Sequence, residues 1–234
     1  MAFNSFLFIT PLTPLSHRTQ LRSELFQCYL QALNKQTHHN WQALLIGEED
    51  KKEGNCIYIK TNSVTKQEKL MDAYEFILRM PEKPDFIIRL DDDDVISPHI
   101  LEIACTKKFD CYADKHHLFY DITSAMTSRQ KRNWLPNTII HKAEHALAPF
   151  GPEGKPLFTH DHSKAWHVYY KGRKIKWASK RHPVYMRILS PTSISGKVDY
   201  TEYSEYLKGF GKWRKKIPSD FEGFQFEYLK LDNE

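Results

Sequence analysis

The chain has 234 residues, 41% apolar and 27% charged, which gives room for one sizeable core and excludes a disordered chain. Its formal charge of +5 is mild, with lysines and arginines scattered along the chain; this suits an anionic substrate such as a nucleotide and does not argue for a nucleic-acid partner. Cys28, Cys56, Cys105 and Cys111 form no Cys-x-x-Cys pair, no zinc spacing and no disulfide framework, so reduced thiols in a cytoplasmic protein are expected.

Phe6 to Thr10 reads as a buried first strand, stopped by Pro11 and Pro14. It is too short for a signal-peptide core and lacks a basic flank and a cleavage site. No run approaches a membrane span, so at most a peripheral contact with the inner face of a membrane is expected. From Thr19 to Lys35, Leu21, Leu25, Cys28/Tyr29 and Leu33 recur at helical spacing, with Ser16 or Thr19 as cap. Trp41 to Gly47 is a second strand ending in Glu48-Glu49-Asp50, and Cys56 to Lys60 a third. Lys66 to Met80 is a helix with Leu70, Tyr74, Ile77 and Leu78 on one face, ended by Pro81 and Pro84; Asp85 to Leu90 is a fourth strand. This β-α-β-β-α-β order predicts an α/β fold, with a mostly parallel, Rossmann-like central sheet flanked by helices. Beyond residue 110, His117 to Ser124 and Ile175 to Leu189 are strand-like, and helices are expected near His141–Leu147, Ser163–Lys171 and Tyr200–Trp213. No repeat, low-complexity segment or linker divides the chain, so one domain is expected.

The fourth strand runs directly into Asp91-Asp92-Asp93-Asp94, followed by Val95-Ile96-Ser97-Pro98. Carboxylates repel one another and usually occupy solvated loops. Here they stand at the carboxyl end of a buried strand, the edge where open α/β sheets bind ligands. Concentrated oxygen ligands there suit Mg²⁺ or Mn²⁺ bridging to phosphates.

A proline-ended first strand, a second strand ending in acids and a fourth ending in Asp91-x-Asp93-Asp94 together resemble the nucleotide-diphospho-sugar transferase (GT-A) fold. The run Leu90 to Pro98 is similar to the DXD-type motif of family-2 glycosyltransferases, and Arg89-Leu90-Asp91 onward looks like their rhamnosyltransferase-type branch. Asp161-His162-Ser163-Lys164-Ala165-Trp166, Gly172-Arg173-Lys174-Ile175, Pro183-Val184-Tyr185-Met186-Arg187 and Ser193-Ile194-Ser195 follow in the family's order.

The resemblance implies a nucleotide-diphospho-sugar donor and a glycan or lipid-linked sugar acceptor. It also implies a nucleotide-sugar-binding half over residues 1–100 and an acceptor-binding half, with a C-terminal helix, over 101–234. Asp91 and Asp93 would hold the cation, with Asp92 helping on the donor side, and Asp161 would be the general base of an inverting displacement. Thr10, Pro11, Arg18, Glu49, Asp50, Lys69 and Arg89 would line or neutralise the donor. The chain departs from the pattern where a histidine often follows the Tyr-x-Arg strand, since Ile188, Leu189 and Ser190 stand there. His182, His160 or His162 would then complete the metal's ligands.

Competing readings are a nucleotidyltransferase of the same fold and a non-catalytic glycan-binding module. The first calls for a glycine-rich basic loop, yet Thr10 to Arg18 contains no glycine. His141-Lys142-Ala143-Glu144-His145 fits the H-x-x-E-H zinc-peptidase pattern, for which a capped surface helix is the simpler reading. His160-Asp161-His162 would make a metal-phosphohydrolase dyad only with further histidines at depth. The stripe Tyr200, Tyr203, Tyr206, Phe210, Trp213 reads as the packed face of an amphipathic helix.

Overall fold

A computed structural model describes residues 4–191 and 200–224 of the chain. Its first hundred residues form β1 (Phe6–Pro11), α1 (Gln20–Asn34), β2 (Trp41–Gly47), β3 (Lys51–Glu53), β4 (Cys56–Lys60), α2 (Lys66–Arg79) and β5 (Phe86–Arg89). Strands β5, β1, β2 and β4 lie side by side and all parallel. The period-two alternation of β1 divides its side chains between two helices. Phe6 and Phe8 pack with Leu21, Leu25, Tyr29 and Leu33 of α1 on one face. Leu7 and Ile9 pack with Leu70, Ala73 and Ile77 of α2 on the other. Both faces are therefore covered, as a parallel sheet requires. The sequence pattern does not show β3, an exposed Lys-Lys-Glu hairpin strand that caps β4 antiparallel; such charged edges resist pairing with other chains.

The chain continues through β6 (Val95–Ile96), α3 (Ile100–Cys105), β7 (Cys111–Ala113), β8 (His116–Asp121), β9 (Met126–Lys131), β10 (Ile140–Lys142), α4 (Ala143–Ala146), β11 (Pro149–Phe150) and β12 (Lys155–Pro156). A π-helical turn over His162–Trp166 leads into α5 (His167–Tyr169), followed by β13 (Ile175–Trp177), β14 (Tyr185–Leu189), α6 (Tyr200–Lys208) and β15 (Trp213–Arg214). The large sheet has the order β13-β7-β10-β5-β1-β2-β4-β3, in which β10 and β3 run against their neighbours. A second sheet, β15-β9-β8-β14-β6, stands beside it. The result is a mostly parallel α/β sheet flanked by helices.

Three expectations are corrected. Residues 141–147 are not one helix: Ile140 to Lys142 fill the gap between β5 and β7, and only one helical turn follows. There the ladder of two neighbouring strands overrides local helix preference. The stretch from Ile175 to Leu189 divides into β13 in the large sheet and β14 in the small one. The C-terminal helix stops at Lys208, and Gly211, with φ of +74°, turns the chain so that Trp213 enters β15. Among the described residues, all four cysteines are free thiols, and no helix is long and apolar enough to cross a membrane.

Candidate metal and donor site

β1 is followed by β2 on one side while β5 joins it on the other, so their carboxyl ends flank the point where the strand order reverses. Open α/β sheets bind ligands at that crevice. The four aspartates fill the link from β5 to β6, which is the crossing from the large sheet to the small one.

Each carboxylate has a separate address. Asp92 is buried and accepts hydrogen bonds from Thr13 N at 2.7 Å and Thr13 Oγ1 at 3.1 Å, which ties the exit of β5 to the exit of β1. Arg22 and Arg18 lie 3.6 Å and 3.9 Å from it. Asp94 is buried and accepts from Ile188 N at 3.1 Å, anchoring the loop to β14. Asp91 and Asp93 are half-buried and face cations: Lys66 Nζ stands 2.5 Å from Asp91, and Arg22 Nη1 3.0 Å from Asp93.

Oxygens of Asp91, Asp93 and Asp94 lie within 4.8 Å of one another. The converging set thus includes Asp94, which also anchors the loop through Ile188, and omits Asp92, whose carboxylate is turned toward Thr13. Burial raises the Asp93 carboxyl, and the neighbouring Asp92 and Asp91 add to this against Arg22, so it is pushed up to about 6. Burial and the charges of Asp93 and Asp91 push Asp94 well above the usual carboxylate range. Burial acts on Asp91 in the same sense, but Lys66, Arg89 and Arg187 outweigh it and hold Asp91 well below that range. Two of the three acids are therefore frustrated as anions by their own neighbours. An oxygen-only set under such strain fits a hard divalent cation such as Mg²⁺ or Mn²⁺.

The other expected residues scatter in role. Thr10 is fully buried, sharing a 2.7 Å hydrogen bond with the Tyr29 hydroxyl, and Pro11 is buried at the end of β1. Arg18 donates to Thr13 O at 3.2 Å and lies over the Phe26 ring. Lys69 is buried and donates to Leu12 O at 2.8 Å; burial lowers its pKa. Glu49 and Asp50 are exposed beyond β2, with Glu49 3.5 Å from Lys51. At the end of β2, Gly47 lets Leu12 approach closely, since a Cβ there would lie 3.0 Å from Leu12 Cδ1.

Arg89, expected to offset donor charge, is buried. It donates to Phe158 O and His160 O at 2.9 Å and to Asn137 Oδ1 at 2.7 Å, and stacks over Trp166. Its bonds hold the segment leading to Asp161. His182, expected as a metal ligand, is not part of the carboxylate cluster. It sits beyond the far end of β6, with Nδ1 3.2 Å from Asp220, which in turn accepts from Ser97 Oγ.

Asp161 caps the π-helical turn: its Oδ1 accepts from Ser163 N at 2.9 Å, Ser163 Oγ at 2.6 Å and Lys164 N at 3.0 Å. Desolvation raises its pKa, but these bonds and His162 outweigh it, so Asp161 is held below the usual range. His162 is pushed down to about 4 by burial first and then by Arg89, Lys66 and Arg187. All three of those cations also act on Asp91. His160 is directed to Lys155 O. The Ser193-Ile194-Ser195 motif lies outside the described residues. The H-x-x-E-H reading does not survive: His141 is a buried strand residue bonded to the Tyr170 hydroxyl, and His145 bonds the Tyr169 hydroxyl.

Sequence reasoning missed Lys66, Arg22 and Arg187 as the cations of the site. A signal for Lys66 was present: Thr65 and Glu68 form a capping box, which fixes Lys66 as the first residue of α2.

No family model and no curated protein matches the sequence. Among solved structures, the chain is similar to residues 1–349 of TarS from S. aureus, at 12% identity and a TM-score of 0.52, covering 79% of this chain. It spans only 60% of that chain's length. It also matches 4-diphosphocytidyl-2C-methyl-D-erythritol synthase from Anaerococcus prevotii at 11% identity and a TM-score of 0.44, covering 88% of this chain and all of that one. Rv0371c from Mycobacterium tuberculosis matches at 9% identity and a TM-score of 0.40, with the same coverage. The likeness to the first of these shows a GT-A-like α/β fold.

Proposed function

We propose that the chain is a metal-dependent glycosyltransferase, moving a sugar from a nucleotide-diphospho-sugar to a hydroxyl of a glycan or lipid-linked acceptor. The observation that carries this reading is the convergence of Asp91, Asp93 and Asp94 at the carboxyl end of β5, at the switch point of the sheet. Asp91, Asp93 and Asp94 would hold Mg²⁺ or Mn²⁺, whose chemistry there would be to neutralise the charge that develops on the departing nucleoside diphosphate. Lys66 and Arg22 add positive charge beside Asp91 and Asp93. Glu49 and Asp50, open to solvent beyond β2, are available to the nucleobase. The first hundred residues bind the donor and the remainder meets the acceptor.

Asp161 acts as the base. Its Oδ1 is fixed by three donors, and Oδ2 has no hydrogen-bond partner among the described residues. Being held ionised, it takes the acceptor hydroxyl's proton as that oxygen bonds to the anomeric carbon. The bond from that carbon to the diphosphate oxygen breaks, and its electron pair leaves with the nucleotide. A single displacement of this kind inverts the anomeric centre.

The test is calorimetry with a panel of nucleotide-diphospho-sugars, with and without Mn²⁺, followed by product analysis. One donor should bind only with the cation, and Asp93→Asn should abolish that binding. Absence of metal-dependent binding for every donor overturns the proposal. Release of pyrophosphate from a nucleoside triphosphate would assign nucleotidyl transfer instead.

A further inference from the structure

A cavity of about 790 Å³ opens on the small sheet, away from the aspartates. Register explains how it is built. β15 pairs antiparallel with β9, Trp213 opposite Ser128 and Arg214 opposite Thr127. Trp213 packs with Phe210, and Ser128 Oγ donates to Phe210 O, so these two residues face the α6 side. The alternate residues, Thr127 and Arg129 on one strand and Lys212, Arg214 and Lys216 along the other, line the cavity. Lys180 and Arg181, from the loop before β14, complete its wall.

Six lysines and arginines therefore line this cavity, and no aspartate or glutamate does. Among the described residues none of the six lies within ion-pair distance of a carboxylate; the pairs present involve other side chains. The two acids that act on Arg129 are held elsewhere: Asp114, buried, accepts from Val184 N, and Asp220 is held by Ser97 and His182. Continuing the register carries Lys212 opposite Arg129, a like-charge pairing that destabilises a sheet. His116, also in the wall, is held below its ordinary pKa by desolvation and then by Lys180, Lys115, Lys131 and Arg129, which reports the same positive field.

We propose that this cleft is a second binding site, for a linear anion carrying several phosphate groups. Its volume falls in the range of roughly 300–1,000 Å³ typical of small-ligand sites, and its cations face a concavity rather than a plane. One phosphate carries too little charge to neutralise six cations, whereas several in sequence match them. No phenylalanine, tyrosine or tryptophan lines the wall, so it lacks the stacking platforms by which single-stranded nucleic acids are held. The site stands independently of the transferase reading.

The probes are inorganic tripolyphosphate, orthophosphate, an abasic oligonucleotide, an oligothymidylate of equal length and anionic phospholipid vesicles, titrated into the full chain in EDTA. Tripolyphosphate and the abasic oligomer should bind, with orthophosphate at least about tenfold weaker and added salt weakening all binding. Tripolyphosphate tighter than the abasic oligomer assigns the site to free polyphosphates; the reverse assigns it to phosphodiester-linked chains. The triple variant Lys212→Gln/Arg214→Gln/Lys216→Gln should weaken binding at least about tenfold, and Arg181→Gln, on an exposed loop, should weaken it severalfold. Lys52→Gln/Lys60→Gln/Lys107→Gln removes the same charge at exposed positions outside the cavity and should leave binding unchanged. Equal losses in both triple variants, or no loss with either cavity variant, overturn the proposal. So does binding of oligothymidylate or vesicles at least tenfold tighter than the abasic oligomer.

Discussion

At the residue scale, Asp93 lies between the charges of Asp91 and Asp92 and the guanidinium of Arg22, so a proton and a cation compete for it. Its carboxyl is raised to about 6, which leaves it protonated below that pH and ionised above. Cation binding displaces the proton from Asp93 and also from Asp94, which is raised too, so affinity for Mn²⁺ should rise at least about tenfold per pH unit below pH 6 and keep rising above it while Asp94 still holds its proton. Calorimetry between pH 5 and 7.5 reads this directly, and a flat profile would remove Asp93 from the ligand set. Asp92, its neighbour, has a structural task through Thr13 and Arg22. Asp92→Ala should cost about 3 kcal/mol in urea unfolding, because it strips a buried carboxylate from two donors and weakens the pairing of a buried arginine. Asp93→Asn relieves repulsion and should stay within about 1 kcal/mol of the parent while losing the cation.

At the scale of elements, the site depends on how α1 and α2 begin. Thr19 caps α1 by accepting from Arg22 N, which sets Arg22 on the first turn facing Asp92 and Asp93. Thr65 and Glu68 do the same for α2 and Lys66. Thr65→Ala should therefore cost about 1 kcal/mol in urea unfolding and speed amide exchange over residues 66–68. Unchanged exchange there would show that the helix start is held by packing alone. The β-α-β-β-α-β half was legible because its strands are buried on both faces and its helices carry apolar stripes. The aspartate run was legible because charge directly after a buried strand is rare without a reason. Within residues 111–142 only β8 was legible, as the strand-like stretch His117 to Ser124; β7, β9 and β10 were not, because strands of three to six residues carry too few alternations to declare a period and acquire their state from neighbours distant in sequence. The anchoring role of Arg89 was hidden for a related cause: its partners Asn137, Phe158 and His160 are 48 to 71 residues away, beyond the reach of local pattern.

At the scale of the whole molecule, the chain crosses from the large sheet to the small one between β5 and β6, and Asp114, just after β7, accepts from Val184 N at 2.9 Å and Tyr185 N at 3.4 Å at the start of β14. Burial, against those backbone donors and Arg129, pushes the Asp114 carboxyl up to about 7. Because its folded pKa exceeds the unfolded value near 4, the folded state binds the proton more tightly. Its contribution is fully present below about pH 4 and is lost as pH rises through 7. Relative to Asp114→Asn, the parent should lose up to about 4 kcal/mol between pH 4 and 8. Urea unfolding of both proteins across that range measures it, and parallel profiles would refute it.

The run of four identical residues has a consequence for how this chain tolerates change. Asp91 answers to Lys66, Asp92 to Thr13, Asp93 to Arg22 and Asp94 to Ile188. The four letters are alike in composition yet carry different instructions, each read by its place in line. Deleting one and leaving three would hardly alter the charge of the segment, but every later member would inherit its predecessor's task with the wrong reach. Where the alphabet is most repetitive, the chain is least able to slip.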